Sequence, residues 1–286
     1  MTPPRTQDSN PERKRGRRAE RLGNRMMQGV DQSPEEELRQ AEEVLRWSNR
    51  KQSPGSAFSI RAMNDVADQL ARQARYSEEA IVLDEMVTAI RNTLGPEHDS
   101  TLSAELKLAI CLIALNRHDE AEALLAHVVA GRTAAFGHDN AATLAAMAWS
   151  ATAARELGKL GEARLVQAQV LAGLEFAGAG ESLQGQSAAL NLASTVADLG
   201  EIGEAAALVR HVLEIRSRTL APEDPKTLDA LETLATLLLR SHDVASALDL
   251  ARTLVERRTV VFGPDAPETA QARDLLSAVQ AESKPI

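Results

Sequence analysis

One cysteine, Cys111, in 286 residues excludes an internal disulfide framework and any all-cysteine metal site. Aromatic residues make up only 2% of the chain, too few for the strands of a sandwich or barrel, which draw on aromatic and β-branched side chains. No apolar run approaches the length that spans a bilayer. Lysine is scarce, 6 of the 32 basic residues, and the bias toward arginine beside abundant alanine fits a GC-rich bacterial genome. What is present is 44% hydrophobic, dominated by alanine and leucine, with 26% charged residues and a mean hydropathy of −0.24. This composition predicts a soluble, cytoplasmic, helical chain.

The charge is unevenly placed. The net charge is −9, yet the first thirty residues hold eight basic and three acidic side chains. Everything after them is correspondingly acidic. A basic arm on an acidic body reads as a disordered tail that either touches phosphates or folds back on its own body. Arg13, Lys14, Arg15, Arg17 and Arg18 are the candidate phosphate contacts, which leaves nucleic acid open as a partner. The pair Arg17-Arg18 is not followed by an apolar segment, so no export signal is read. Leu22, Met26 and Met27 among the arginines are too few to make a membrane anchor.

A period of 42 residues organises the rest. The segments LGPEHDSTL from Leu94, FGHDNAATL from Phe136, LAPEDPKTL from Leu220 and FGPDAPETA from Phe262 are separated by 42, 84 and 42 residues. The absent member falls in the degenerate stretch AGAGESLQG. Each junction reads as a helix stop followed by a helix start: Gly95, Gly137 and Gly263 suit a positive φ, and Pro, Asp and Thr favour the turn and the cap. A second break recurs about sixteen residues on, as ARYSEEA, NRHDEA, GKLGEA and LGEIGEA. Every unit is therefore a helical hairpin, with a helix A and a helix B.

Aligned by this period, the columns describe a core. One helix A position is Ala62, Ala104, Ala146, Ala188, Ala230 and Ala272, small enough for neighbouring backbones to approach. A larger apolar column runs Val66, Leu108, Leu192, Leu234 and Leu276, with Ser150 as the exception. The expected organisation is a basic arm over 1–32, a repeat region over 33–281 and a short tail over 282–286. Within the repeat region, helices A start near 59, 101, 143, 185 and 227, and a terminal helix over 269–281 caps the stack. The expected fold class is all-α, about five hairpins with flanking orphan helices.

At this point the residues resemble the tetratricopeptide repeats, in the 42-residue form with an LGPxHPxT-like junction found in kinesin light chains. The resemblance covers about residues 33–281. It implies a right-handed α-solenoid whose helices A line a concave groove that grips a peptide or helix of a protein partner. A kinesin-light-chain groove carries asparagines in a motif like L-N-N-L-A. Here Met63-Asn64-Asp65-Val66-Ala67 keeps one asparagine and Leu190-Asn191-Leu192-Ala193 the other. In the family's register the candidate groove residues are Asn64, Asp68 and Arg72 in the first hairpin, and Leu106, Ile110 and Ile113 in the second. Thr152 and Arg155 follow in the third, Leu190, Asn191 and Ser194 in the fourth, and Glu232, Thr236 and Arg240 in the fifth.

No catalytic constellation emerges. The pairs His98-Asp99, His118-Asp119, His138-Asp139 and His242-Asp243 do not share repeat columns, so they read as turn and cap residues rather than metal ligands. Cys111 has no matching histidine and reads as a small buried side chain. No cofactor, metal or catalytic residue is expected. The leading reading is a non-enzymatic protein-interaction scaffold. A nucleic-acid-associated regulator working through the arm, or an accessory subunit of an enzyme complex, stands as the alternative.

Overall fold

The computed structural model describes residues 33–283. The basic arm, with Arg13, Lys14, Arg15, Arg17 and Arg18, lies outside the described residues, as do 284–286. The described residues form twelve helices and no strand: α1 (Pro34–Lys51), α2 (Ala57–Arg72), α3 (Tyr76–Leu94), α4 (Asp99–Ala114), α5 (His118–Phe136), α6 (Ala141–Glu156), α7 (Leu160–Phe176), α8 (Leu183–Asp198), α9 (Ile202–Thr219), α10 (Pro225–Arg240), α11 (Val244–Phe262) and α12 (Pro267–Glu282). The fold is all-α, with five hairpins and a flanking helix at either end. No described helix is long and apolar enough to cross a membrane. The chain divides into two compact units between Ala135 and Phe136. In the first, α1 to α4 pack each on the next, and in the second α6 to α12 do the same.

The period is written in the helix starts. Ser33, Ser56, His98, Asn140, Ser182 and Asp224 each cap a helix by accepting a backbone N–H with the side chain, which satisfies a donor the first turn would leave orphaned. The last five of these are spaced by 42 residues. The repeated threonine, three residues inside helix A, has a different task. Thr101, Thr143 and Thr269 donate to the carbonyls of Gly95, Gly137 and Gly263 at 2.7, 2.9 and 2.8 Å. Those glycines hold φ of 92°, 89° and 91°, a region closed to other residues. At the fourth junction Ala221 replaces the glycine, and the buried Thr227 hydroxyl has no partner.

Packing follows the alanine columns. Ala62, Ala104, Ala146, Ala188, Ala230 and Ala272 are all buried, so helices approach closely within each unit. A second buried column is charged: Arg132, Arg216 and Arg258, near the ends of helices B, are 6%, 7% and 4% exposed. Arg216 donates to the carbonyl of Lys226 and Arg258 to that of Glu268 at 3.0 Å. Each guanidinium thereby ties its hairpin to the start of the following helix A, satisfying a carbonyl and keeping its own charge hydrogen-bonded.

Candidate partner-binding surface

The helix A faces place every candidate groove residue at the surface: none is buried. The structure brings them together differently in the two units.

In the first unit α2 and α4 are braced by polar side chains. Lys107 Nζ donates to Asn64 Oδ1 at 2.6 Å and to Asp68 Oδ1 at 3.1 Å, and Asn64 Nδ2 donates to Asp68 Oδ2 at 2.9 Å. Asp65 and Glu79 face the same charges. Burial and the neighbouring Asp68 push the Asp65 carboxyl up from its ordinary value, and burial does the same at Glu79. Lys107 and Arg61 are thus two cations facing these carboxylates. Beside this brace Leu106, Ile110 and Ile113 are half-buried, lying at i, i+4 and i+7 on one face of α4. Arg72 is exposed and reaches Glu37 of α1 at 3.8 Å.

In the second unit the faces of α6, α8 and α10 enclose two hollows. One, of about 520 Å³, is lined by Leu190, Ser194, Asp198, Glu232, Thr236 and Arg240 among others. Five of the six are candidate groove residues. Its charges are already engaged: Arg258 Nη2 holds Glu232 Oε2 at 2.7 Å, Arg155 Nη1 meets Asp198 Oδ2 at 3.2 Å, and Arg240 Nη2 donates to the carbonyl of Ala197 at 2.8 Å. Arg155 Nη1 also lies 3.4 Å from Ser194 Oγ. The other hollow, of about 340 Å³, is lined by Leu144, Ala148, Trp149, Thr152, Val170, Leu174, Leu183, Gln184, Ser187 and Asn191 among others. It has no charged residue in its lining. Thr152 and Asn191 belong to the expected set. Trp149 and Leu183 do not, and they give this hollow its character.

Trp149 is exposed at the mouth of this hollow, and Ala148 explains why it stays accessible. Ala148 occupies the column of Leu106 and Leu190, and the lost side-chain volume leaves the hollow open. Leu183 sits in the degenerate junction, where the period is hardest to follow. The other tryptophan, Trp47, stacks edge-on against Phe58 with ring centroids 5.3 Å apart and fills space between α1 and α2.

Among the described residues, no three His, Cys, Asp or Glu side chains gather to hold a metal ion. Cys111 is buried, donates to the carbonyl of Tyr76 at 3.2 Å, and has its thiol pushed up to about 12 by burial and by Glu79. At that value the thiol stays protonated near neutral pH. The histidines of the His-Asp pairs occupy turns and caps, His98 accepting from Ser100 N–H and His242 meeting Glu282 at 2.9 Å.

Comparison with known proteins agrees with this architecture. Two family models, both described as tetratricopeptide repeat, match residues 101–142 and 186–259. No curated protein matches the chain in sequence. Among solved structures, a putative kinesin light chain of Podosopora anserina with nearly identical TPR-like repeats is 24% identical. It covers 71% of this chain and 96% of its own, with a TM-score of 0.64. BtubC (BKLC) from P. vanneervenii is 14% identical over 82% of this chain and 94% of that one, with a TM-score of 0.68. A tetratricopeptide repeat protein from Parabacteroides merdae, also 14% identical, covers 93% of this chain and all of its own, with a TM-score of 0.58. At these identities the likeness is one of fold.

Proposed function

We propose that this chain, whose residues 101–142 and 186–259 match tetratricopeptide-repeat family models and whose helices share the fold of kinesin-light-chain-like repeats, is a non-enzymatic scaffold. It holds a peptide or helix of a protein partner against its helix A faces. The observation that carries this reading is the pair of hollows in the second unit. Seven candidate residues, Thr152, Asn191, Leu190, Ser194, Glu232, Thr236 and Arg240, line them. A concave, largely apolar surface with a few converging polar groups is what recognition of a peptide calls for. The uncharged hollow between α6 and α8 takes a large apolar side chain, since burying a charge there would go uncompensated. The second hollow, with its satisfied ion pairs, favours polar side chains and backbone.

The test is capture of partners by the full-length protein beside a variant carrying Ser194→Arg and Thr236→Arg. Both positions are exposed, so helicity by circular dichroism should be unchanged. Loss of a protein partner with this variant is the expected result. A partner retained by the folded variant would show that binding does not use these faces.

A further inference from the structure

The positions that Ala141, Ala145, Ala148, Trp149 and Thr152 occupy in α6 carry charge in most of the other helices A. The same columns hold Arg61, Asp65 and Asp68 in α2, Asp99 and Lys107 in α4, Asp229 and Glu232 in α10, and Asp274 in α12. Only α6 and α8 are bare of it, α8 with Leu183, Ser187, Leu190, Asn191 and Ser194, and these two are neighbours in the stack. Arg155, Glu156 and Asp198 are the only charged residues of the two helices, and all lie at the C-terminal ends. They bind one another, Arg155 reaching Glu156 at 2.6 Å and Asp198 at 3.2 Å.

The hollow of about 340 Å³ lies between these two uncharged faces, a volume suited to a molecule of one or two fused rings. Its buried lining is apolar, with Leu144, Val170 and Leu174. Gly173 makes room for that lining, because a Cβ there would stand 2.9 Å from Leu144 Cδ2. Trp149 and Leu183 are exposed at the mouth. The hydroxyls of Thr152 and Ser187 already donate to the carbonyls of Ala148 and Leu183, at 3.0 and 2.8 Å. The side-chain amides of Gln184 and Asn191 bond no protein group among the described residues. Each amide therefore keeps its donors and its acceptor for a ligand.

We propose that this hollow binds a free small molecule, uncharged and ring-bearing, with one polar edge. The ring lies among Leu144, Val170, Leu174 and Trp149, and the edge meets the amide of Asn191 or Gln184. Charge complementarity selects a neutral ligand, since a charged head would lose its water without meeting a counter-charge in the lining. The unpaired amides favour an edge that can hydrogen-bond, and contact with the Trp149 ring adds to the burial of an aromatic one. This goes beyond the scaffold reading, because the binding needs no protein partner. Where a partner's apolar side chain also uses the hollow, the two exclude each other, and the molecule sets how much partner the protein holds.

The probe is indole, a neutral fused ring with a single N–H at its edge, beside its anionic and cationic relatives indole-3-acetate and tryptamine. Each is titrated into isotope-labelled full-length protein and followed by NMR. Two tryptophans give two side-chain N–H signals, assigned with Trp47→Phe. Indole should move the Trp149 signal and leave that of Trp47 in place, with a Kd of about 1 mM or tighter. Both charged relatives should bind at least about tenfold more weakly, and Asn191→Leu should weaken indole by about threefold to tenfold. Ala148→Leu restores the leucine found in that column at Leu106 and Leu190, and should abolish binding with helicity by circular dichroism unchanged. Ser187→Lys, at an exposed position, serves if that leucine disturbs the fold: it should weaken indole and narrow its advantage over indole-3-acetate. No movement of the Trp149 signal at about 10 mM indole, equal affinity for the three probes, or binding untouched by Ala148→Leu and Ser187→Lys overturns the proposal. So does a shift confined to Trp47, which would place the site between α1 and α2. Should indole fail while the Ser194→Arg, Thr236→Arg variant loses its partner, only the small-molecule site falls. If indole binds and that variant keeps its partner, only the scaffold reading falls.

Discussion

The third hairpin, α6 and α7, and the fifth, α10 and α11, share one backbone plan and differ in what fills it. In the fifth, Leu228, Leu231, Leu234 and Leu254 are buried, and Arg258 bonds Glu232 within the hairpin and the Glu268 carbonyl beyond it. In the third, Ser150 stands in the column of Leu234, Gln167 in that of Ala251, and Leu174 in that of Arg258. The arginine tie is missing there. Gln167 is 3% exposed and its Oε1 has no partner, a buried acceptor that opposes folding. The uncharged hollow opens on this thinner hairpin. A repeat array can therefore concentrate stability in one unit and binding space in another, because each repeat answers mainly to its neighbours.

The largest expected effect compares two leucines. Leu254→Ala removes a side chain with no exposed surface and should lower stability by about 3 kcal/mol. Leu174→Ala removes atoms that already border the hollow, and should cost about half as much because less of a closed cavity is left. Urea midpoints of the two variants measure this, and equal losses would break the contrast between the hairpins. Next comes the junction that closes the fifth hairpin. Gly263 holds φ 91° and ψ 164°, with nothing near where a Cβ would stand, so Gly263→Ala is penalised by the backbone alone, by about 1–3 kcal/mol. The same thermal or urea melt reads it. A neutral result would mean that the junction relaxes to the form already seen at Ala221.

Gln167→Leu should act in the opposite direction. It replaces an unpaired amide with the leucine found at Leu83 and Leu125 of the same column, and should stabilise the protein by about 1 kcal/mol. Hydrogen exchange across 141–176 should slow with it, drawing the third hairpin toward the fifth. A fall in stability would show that the amide is hydrogen-bonded in solution and that the hairpin is not weak for this reason.

What the sequence makes legible follows the same division. The period, the junction glycines and the alanine columns are local or strictly recurrent, so five hairpins and two flanking helices can be read directly. The arginine column escaped that reading because Arg132, Arg216 and Arg258 skip the third hairpin, where Leu174 interrupts them, and because buried charge runs against composition rules. The cap column escaped because Ser56, His98, Asn140, Ser182 and Asp224 share a task without sharing an identity. Asn64, Asp68 and Ser194 could be placed at the surface from the register alone. The uncharged hollow could not, since it depends on Ala148 being small in one repeat and Leu183 beginning the next helix A after an eroded junction.

Glu105 gives the contrast between paired and unpaired polar groups its finest test. It is fully buried in the column of Met63, Met147, Ala189 and Leu231, but unlike Gln167 it is doubly engaged, by Arg91 Nη2 at 2.5 Å and His127 Nδ1 at 2.6 Å. The hydrogen bond to Glu105 is the first cause that raises the His127 imidazole above its ordinary 6.5, and Glu97, 3.3 Å from Nε2, adds to it. The folded protein therefore holds the His127 proton more tightly than the unfolded chain does. The resulting stability is fully present below the ordinary imidazole value and is lost as pH rises through the raised one. Urea midpoints of the unaltered protein and His127→Gln should differ most near pH ~6 and converge toward pH ~9. The effect is small because His127 keeps a third of its side chain in solvent, where screening weakens the pair. A difference independent of pH would mean that His127 serves Glu105 as a neutral donor throughout. Gln167→Leu should leave this pH profile unmoved while shifting stability at every pH, which separates an intrusion that is paired from one that is not.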